Sequence, residues 1–278
     1  MNQDHLSDRH FAEIARRVEG FTGIMLPPSK RVMVEGRLRK RVRALGLSDL
    51  EEYGREIIDR GGLEDEFLHV VDCVTTNKTD FFREPQHFDF LSEEAIPQLL
   101  AGRKSNAPLR FWSAAASIGA EAYTIGMVAA ERLGLEGANF EILGTDVSGD
   151  VLAQAVRAVY PKSFASPVPQ PYRERYLMFA RDPARQEFRI VPELRRHVEF
   201  QRLNLMDKSY AVRSDVDVVF CRNVLIYFSK ETQAGVLARL ASYLRIGGYL
   251  ILGHSESLGG NEMSGLRALR PNIFRRER

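Results

Sequence analysis

The sequence predicts an α/β protein built on a doubly wound, mostly parallel sheet, with a helical segment in front of it. Three observations predict this. Residues 108–146 read as a βαβ unit, short apolar strands alternate with helices from there onward, and residues 1–85 carry helical periodicity.

In chain order, Ser7 is placed to cap a helix starting near Asp8, with Phe11, Ile14, Ala15 and Val18 on one face. Gly20, Gly23 and Pro27-Pro28 are expected to interrupt it. After Ser29, the stretch Lys30–Arg43 sets Val34, Leu38, Val42 and Leu45 on an apolar face. Lys30, Arg31, Arg37, Arg39, Lys40, Arg41 and Arg43 crowd the remainder, offset locally by Glu35 alone. Like charges at helical spacing repel unless compensated, so the helix is either a solvated face or a docking surface for an acidic partner. Nucleic acid and an acidic protein helix both fit the sign, although no aromatic residue interleaves the basic ones. Helices at Ser48–Arg60 and Glu64–Val74 complete the segment, separated by Gly61-Gly62.

The βαβ unit opens with a buried strand, Arg110–Ala114, and a turn of small residues, Ala114–Ser117, closed by Gly119. From Glu121 a helix carries Ile125, Val128, Ala129 and Leu133 at helical spacing, and a strand through Ile142–Leu143 ends at Asp146. Small residues at the first turn let a ligand approach the backbone. A carboxylate at the end of the second strand accepts hydrogen bonds from both ribose hydroxyls. No G-x-G-x-x-G is present, so the turn lacks the glycines that set a pyrophosphate against a helix N-terminus. A nucleoside without phosphates fits better, S-adenosylmethionine being the commonest such cofactor; the alternative is an ordinary turn with a solvated Asp.

Further on, Ser148 precedes a helix at Gly149–Val159, and a strand at Val198–Leu203 leads to Asn204. Val216–Cys221 is nearly all apolar, as expected of a strand covered on both faces. A helix over Thr232–Leu244 is expected to stop near Gly247-Gly248, followed by a strand at Tyr249–Leu252 and a last edge strand at Asn272–Arg275. Between Tyr160 and His197 the alternation breaks: Pro161, Pro167, Pro169 and Pro171 argue against a helix. A short helical piece near Glu174–Met178 and a hairpin over Phe179–Val191, turning around Asp182-Pro183, make this an insertion.

Composition bounds the function. The 278 residues are 44% hydrophobic and 27% charged, the profile of a globular protein. A net charge of +2 excludes nothing. The first ten residues hold no apolar signal, and no apolar run approaches a membrane span, so a cytoplasmic protein without membrane insertion is expected. Cys73 and Cys221 show no C-x-x-C spacing and read as free thiols. His5, His10, His69, His87, His197 and His254 show no metal-ligand spacing, so no metal is expected.

The blocks Thr75-Thr-Asn77-x-Thr79-x-Phe-Phe-Arg83 and Trp112-Ser-Ala-Ala-Ala-Ser-x-Gly119-x-Glu121-x-Tyr123 resemble those of the bacterial chemotaxis receptor methyltransferases, the CheR family. The likeness continues through Gly144-Thr-Asp146, Asn204-Leu205 and Phe220-Cys-Arg-Asn223-Val-Leu-Ile-Tyr227 to Gly247–Ser257, nearly the whole chain. The resemblance implies a small all-helical N-terminal domain over 1–85, a linker over 86–107, and a class I S-adenosylmethionine-dependent methyltransferase domain, Rossmann-like, over 108–278. It also implies a small β-subdomain insertion at about 172–197. In some members that insertion binds a receptor tether; the turn here lacks the glycines often seen in those members.

By the same resemblance, Asn77, Thr79 and Arg83 would close over the cofactor. Glu121 and Asp146 would contact its amino and ribose ends, Asn204 and Leu205 would flank the adenine, and Arg222 and Asn223 would complete the site. Arg83 and Tyr227 are the candidate catalytic residues; Tyr227 is either the group that orients the reaction or a core tyrosine. Tyr123 reads as a packing aromatic. Arg37, Lys40, Arg41 and Arg43 would face the cytoplasmic helical domain of a methyl-accepting receptor. The implied activity is protein-glutamate O-methylation by a monomer in sensory adaptation. A glutamate side chain ordinarily titrates near about 4.3, so as a nucleophile it is already ionised at neutral pH and needs no general base. The alternative, a nucleic-acid methyltransferase, is disfavoured because Arg222–Tyr227 lacks the Pro-Pro of exocyclic amine methylation.

Overall fold

The computed structural model describes residues 4–103, 107–136, 139–182, 184–257 and 265–278. The chain begins with helices α1 (Asp8–Thr22), α2 (Arg31–Ala44), α3 (Leu50–Gly54, prolonged by a wider turn over Arg55–Asp59) and α4 (Leu63–Val74). Ser7 caps α1 by accepting a hydrogen bond from His10 N, and Phe11, Ile14, Ala15 and Val18 are buried as the periodicity predicts. Gly20 does not interrupt α1. The stop is Gly23 at φ +74°, whose N–H donates to Glu19 O.

The basic helix differs from its local reading. Val34, Leu38 and Val42 are buried, but Leu45 is exposed. The charges that offset the helix come from elsewhere in the chain. Arg31 pairs with Asp8 as well as Glu35, Arg39 with Asp4, Lys40 with Asp150, and Arg41 bidentately with Glu66. Arg37 donates to the carbonyls of Val74 and Thr75, both at 2.8 Å. Arg37 and Arg41, expected to be exposed, are therefore structural ties, and Lys40 and Arg43 remain on the surface.

The segment expected to be a linker, 86–107, is mostly helix: α5 (Gln86–Phe90), a wider turn over Leu91–Ala95, and α6 (Ile96–Ala101). Phe88, Phe90, Leu91, Ile96 and Leu99 pack into the sheet's core with Phe111, Phe220 and Tyr249. Pro97, which argues against an unbroken helix, sits in the first turn of α6, with Ile96 between it and the wider turn. The connection is shorter, running from Thr75 to Pro85, extended as far as Asp80 and turning over 81–85.

The remaining elements are β1 (Leu109–Ala114), α7 (Ala120–Leu133), β2 (Phe140–Asp146), α8 (Gly149–Arg157), β3 (Val159–Pro161), α9 (Gln170–Tyr176), β4 (Leu177–Phe179), β5 (Glu187–Ile190), α10 (Pro192–Arg195), β6 (Val198–Arg202), β7 (Val216–Cys221), α11 (Lys230–Tyr243), β8 (Leu244–Leu252), β9 (Leu266–Arg270) and β10 (Ile273–Arg276). Among the described residues the main sheet has the order β6-β2-β1-β7-β8-β10-β9, parallel from β6 through β8 and antiparallel thereafter. The C-terminal strand is thus internal, and β9 is the edge. Gly247 and Gly248 lie inside β8, near an irregularity in its pairing with β7, where a Cβ on Gly248 would meet Asp217 O at 2.9 Å. Residues of β7 alternate between two cores: Val218 and Phe220 face α7, while Val219 and Cys221 join Leu237 and Leu240 of α11. Both faces are covered, which is why β7 reads as an unbroken apolar run.

The insertion forms a second sheet, β3-β5-β4, antiparallel throughout. Its first strand starts at Val159, before the predicted boundary of 172. Pro171 sits in the first turn of α9, where its missing N–H is harmless. Of the predicted turn, Pro183 lies outside the described residues. Phe81 of the connection packs edge-on against Tyr160 and near Phe188, while Phe82 meets Phe88 and Tyr172. The double Phe pins the connection between the second sheet and α5.

Candidate functional site: a cleft at the carboxyl edge of the sheet

Strand order reverses between β1 and β7, and ligands of such sheets bind outside the carboxyl ends at that point. A cleft lies there. It is lined by Asn77, Thr79, Arg83, Glu121, Asp146, Asn204, Leu205, Arg222, Asn223 and Tyr227, which brings together every cofactor and catalytic candidate named from the sequence. The opposite wall belongs to the N-terminal helical segment, through Thr22, Ile24, Leu26, Lys30 and Met33. Sequence reasoning gave that segment a docking role only and missed this wall.

Asp146 ends β2 with 8% of its surface exposed. One carboxylate oxygen accepts from Ser117 N at 2.9 Å, the other from Ser148 N at 3.0 Å. Burial pushes its pKa up, and the backbone donors oppose that shift. Each carboxylate oxygen accepts about two hydrogen bonds, so Asp146 keeps acceptor capacity beyond its backbone donors. Besides ending the strand as predicted, Asp146 staples both neighbouring turns.

The first turn carries Ala115 at φ +67°, Ser117 at +51° and Gly119 at +86°. Non-glycine residues in this region are uncommon and cluster at ligand sites. Only glycine fits at 119, since a Cβ there would lie 2.8 Å from Ala155 Cβ and 2.9 Å from the Phe200 ring. Ser117 Oγ also donates to Asn77 O at 2.9 Å, holding the connection over the turn.

Glu121, in the first turn of α7, accepts from Ser113 Oγ at 2.7 Å and from Arg222 Nη1 at 2.9 Å. The other Arg222 nitrogen, Nη2, donates to Glu84 at 3.0 Å and to the Arg83 carbonyl. Glu84, at φ +58°, also accepts from Asn223 Nδ2. Burial alone would raise the Glu84 carboxyl, but the Arg222 charge and the Asn223 amide bring it below its ordinary value. The triad of two carboxylates around one guanidinium leaves a net negative charge beside the cleft, suited to an ammonium group. Neither Glu84 nor Glu256, a second buried carboxylate behind this wall, was named from the sequence. Glu84 stands directly after a recognised block and Glu256 inside one, so their place in those blocks was the available signal.

Asn204 uses both ends of its amide, donating to Phe21 O at 2.6 Å and accepting from Met206 N at 3.0 Å. It spans the two walls. Met25 N donates to Tyr227 O at 2.9 Å, and Lys30 Nζ lies 5.2 Å from the Tyr227 ring centroid. Tyr227 is half-buried, lining the cleft while packing against the core on the α11 side of the sheet, whereas Tyr123 is buried with its hydroxyl on Ala155 O. The histidines are less scattered than their spacing suggests. Glu84, His87 and His254 bring possible ligand atoms within 4.8 Å of one another. Both Glu84 oxygens are already engaged, however, and the Arg222 guanidinium beside them opposes a cation.

Family models match both parts of the chain. One, described as CheR methyltransferase, SAM binding domain, covers residues 77–268, and the other, CheR methyltransferase, all-alpha domain, covers 9–75. The chain belongs to the CheR methyltransferase family. Chemotaxis protein methyltransferase 2 of Pseudomonas aeruginosa is 38% identical over 92% of this chain and 89% of its own length. The chemotaxis protein methyltransferases of Salmonella typhimurium and Escherichia coli are 37% and 36% identical, each over 91% of this chain and 85% of their own. CheR membership makes the chain an S-adenosylmethionine-dependent methyltransferase of chemotaxis, and the nucleic-acid alternative is not favoured. Among the described residues no helix is long and apolar enough to cross a membrane.

Proposed function

We propose that this CheR chain transfers the methyl group of S-adenosylmethionine to glutamate side chains on the cytoplasmic helices of chemotaxis receptors, giving glutamyl methyl esters. The relatives' names point to chemotaxis, and the donor set of the cleft carries the finer reading. Asp146 offers acceptors to a ribose, Glu121 faces the place for an amino group, and Leu203 and Leu205 give an apolar wall for a base. The sulfonium supplies the reactive methyl and the leaving group.

The chain's own residues then have three tasks. Asn77, Thr79 and Arg83, on the connection, cover the nucleoside and exclude water. Arg83 and Lys30 give positive charge at the cleft, which favours entry of an ionised carboxylate. Tyr227, at the end of the loop after β7, borders the space between cofactor and acceptor and would orient the nucleophile. Among the described residues lining the cleft there is no His–Asp or Cys–His pair. An already ionised nucleophile needs none, and rate enhancement then rests on alignment. Incubation with methyl-labelled cofactor and a receptor cytoplasmic fragment tests this. Base-labile label on the receptor is expected; label on DNA or RNA instead, or none on the receptor, would overturn the reading.

A further inference from the structure

The loop Arg222–Phe228 brings Arg222, Asn223, Val224 and Tyr227 to the cleft, yet the turn that shapes it holds no glycine or proline. Asn223 sits at φ +58°, and the N–H groups of Asn223, Val224 and Leu225 converge. All three end on Glu256, which lies beyond β8. Its Oε2 accepts from Asn223 N at 2.9 Å and Gly253 N at 2.7 Å, and its Oε1 from Val224 N at 2.9 Å and Leu225 N at 2.8 Å. Converging backbone N–H groups make a nest that selects an anion, and here the anion is the protein's own side chain, 4% exposed. Glu256 N closes the turn onto Gly253 O at 2.9 Å. Gly253 has no room for a side chain, because a Cβ would meet Asn223 Nδ2 at 2.7 Å, Glu256 Oε2 at 2.8 Å and Asn223 N at 2.9 Å.

We propose that Glu256 is a positioning residue for methyl transfer: its carboxylate moulds the loop after β7 and so sets where Asn223 and Tyr227 stand relative to the acceptor. This deepens the receptor-glutamate reading and rests on it. Glu256 does not line the cleft; it acts through the backbone of the residues that do. Most of the nucleoside's partners (Asp146, Glu121, Asn77 and Leu205) come from other segments. A disturbed loop therefore costs turnover more than cofactor affinity. A group with one oxygen and one NH2 in place of the carboxylate satisfies two of the four N–H donors and faces the other two with hydrogens.

The test compares Glu256→Gln with the wild type. Expected are S-adenosylhomocysteine affinity within about threefold and a kcat on receptor fragment lower by about 10- to 100-fold, the scale of a misplaced reacting group. Amide hydrogen exchange of the peptides spanning 222–228 and 253 should accelerate by about tenfold or more. A second variant, Gly253→Ala, keeps the carboxylate and pushes a methyl into the same loop; the same split between kcat and affinity is expected. Wild-type kcat in either folded variant, unchanged exchange in Glu256→Gln, or equal losses of affinity and kcat would overturn the proposal. Exchange is read without receptor. Wild-type protein that never methylates the receptor would sink the receptor reading, while the exchange result still decides whether Glu256 shapes the loop.

Discussion

Arg222 and Glu121 meet at 2.9 Å although 101 positions separate them, and the Arg222 side chain is 2% exposed. The same guanidinium holds Glu84, so one cation ties the connection, β7 and α7 together at the cleft. Arg222→Gln would leave two largely but not fully buried carboxylates without their partner and should destabilise the fold by about 3 kcal/mol. The sign with pH follows from Glu84, whose pKa is depressed in the folded state. Its stabilising contribution is complete above its unfolded value and is lost as pH falls through the lower folded value. Loss of Arg222 should move the acid unfolding midpoint upward. Urea unfolding along a pH series measures both, and an unchanged midpoint would mean that the triad contributes nothing.

Asp146 is better tested by Asp146→Asn than by Asp146→Ala, because alanine would leave the N–H groups of both Ser117 and Ser148 without an acceptor, whereas asparagine keeps one acceptor oxygen. The asparagine variant should weaken S-adenosylmethionine and S-adenosylhomocysteine binding by about 1.5–3 kcal/mol, the scale of a charge-assisted hydrogen bond. Titration calorimetry on a cooperatively unfolding variant gives the number. Full affinity would remove Asp146 from the ribose site.

The proposed docking face narrows to Lys40 and Arg43. Lys40→Glu with Arg43→Glu should raise the KM for receptor fragment and leave cofactor affinity alone. The difference should shrink from about 0.01 M to about 0.15 M salt, as the screening length falls from roughly 30 Å to roughly 8 Å. Arg41→Glu should behave differently and lose stability, since it would face Glu66 inside the helical unit. Receptor kinetics unaltered at low salt in the double variant would leave α2 a solvated face.

None of residues 159–197 lines the cleft among those described. Shortening the β4–β5 turn across 182–185 should therefore leave S-adenosylhomocysteine affinity unchanged within about twofold. Receptor affinity is the quantity that should move, through the exposed Met178 and Phe179 on β4. Loss of cofactor binding in a folded variant would place the second sheet in the cofactor site after all.

Local pattern carried the sheet and the first helices. Val216–Cys221 announces a covered strand by composition, and Ser7 announces a cap by its position before an amphipathic run. Local pattern failed where partners lie far off in sequence. The counter-charges of α2 are Asp4, Asp8, Glu66 and Asp150, invisible to any count made within the helix. Residues 86–101 hid a helix because Pro85 precedes its apolar positions and Pro97 falls among them. The floor of the cleft was legible from small residues and a strand-end Asp. Its far wall was not, because Ile24, Leu26 and Met33 are ordinary apolar residues until the chain folds them over the sheet.

The two hydrogen bonds from Asn204 to Phe21 O and from Met25 to Tyr227 O make the cleft a seam, with neither side a complete container. A ligand held by both sides is an adhesive: at a hundred times its dissociation constant it opposes their separation by about 2.7 kcal/mol. With α2 as the proposed docking face, bound nucleoside would fix the distance from its outer face to the reactive carbon. On a helical target rising about 1.5 Å per residue, such a fixed distance would work as a ruler, choosing which turn is reached by how far it lies from the point of contact.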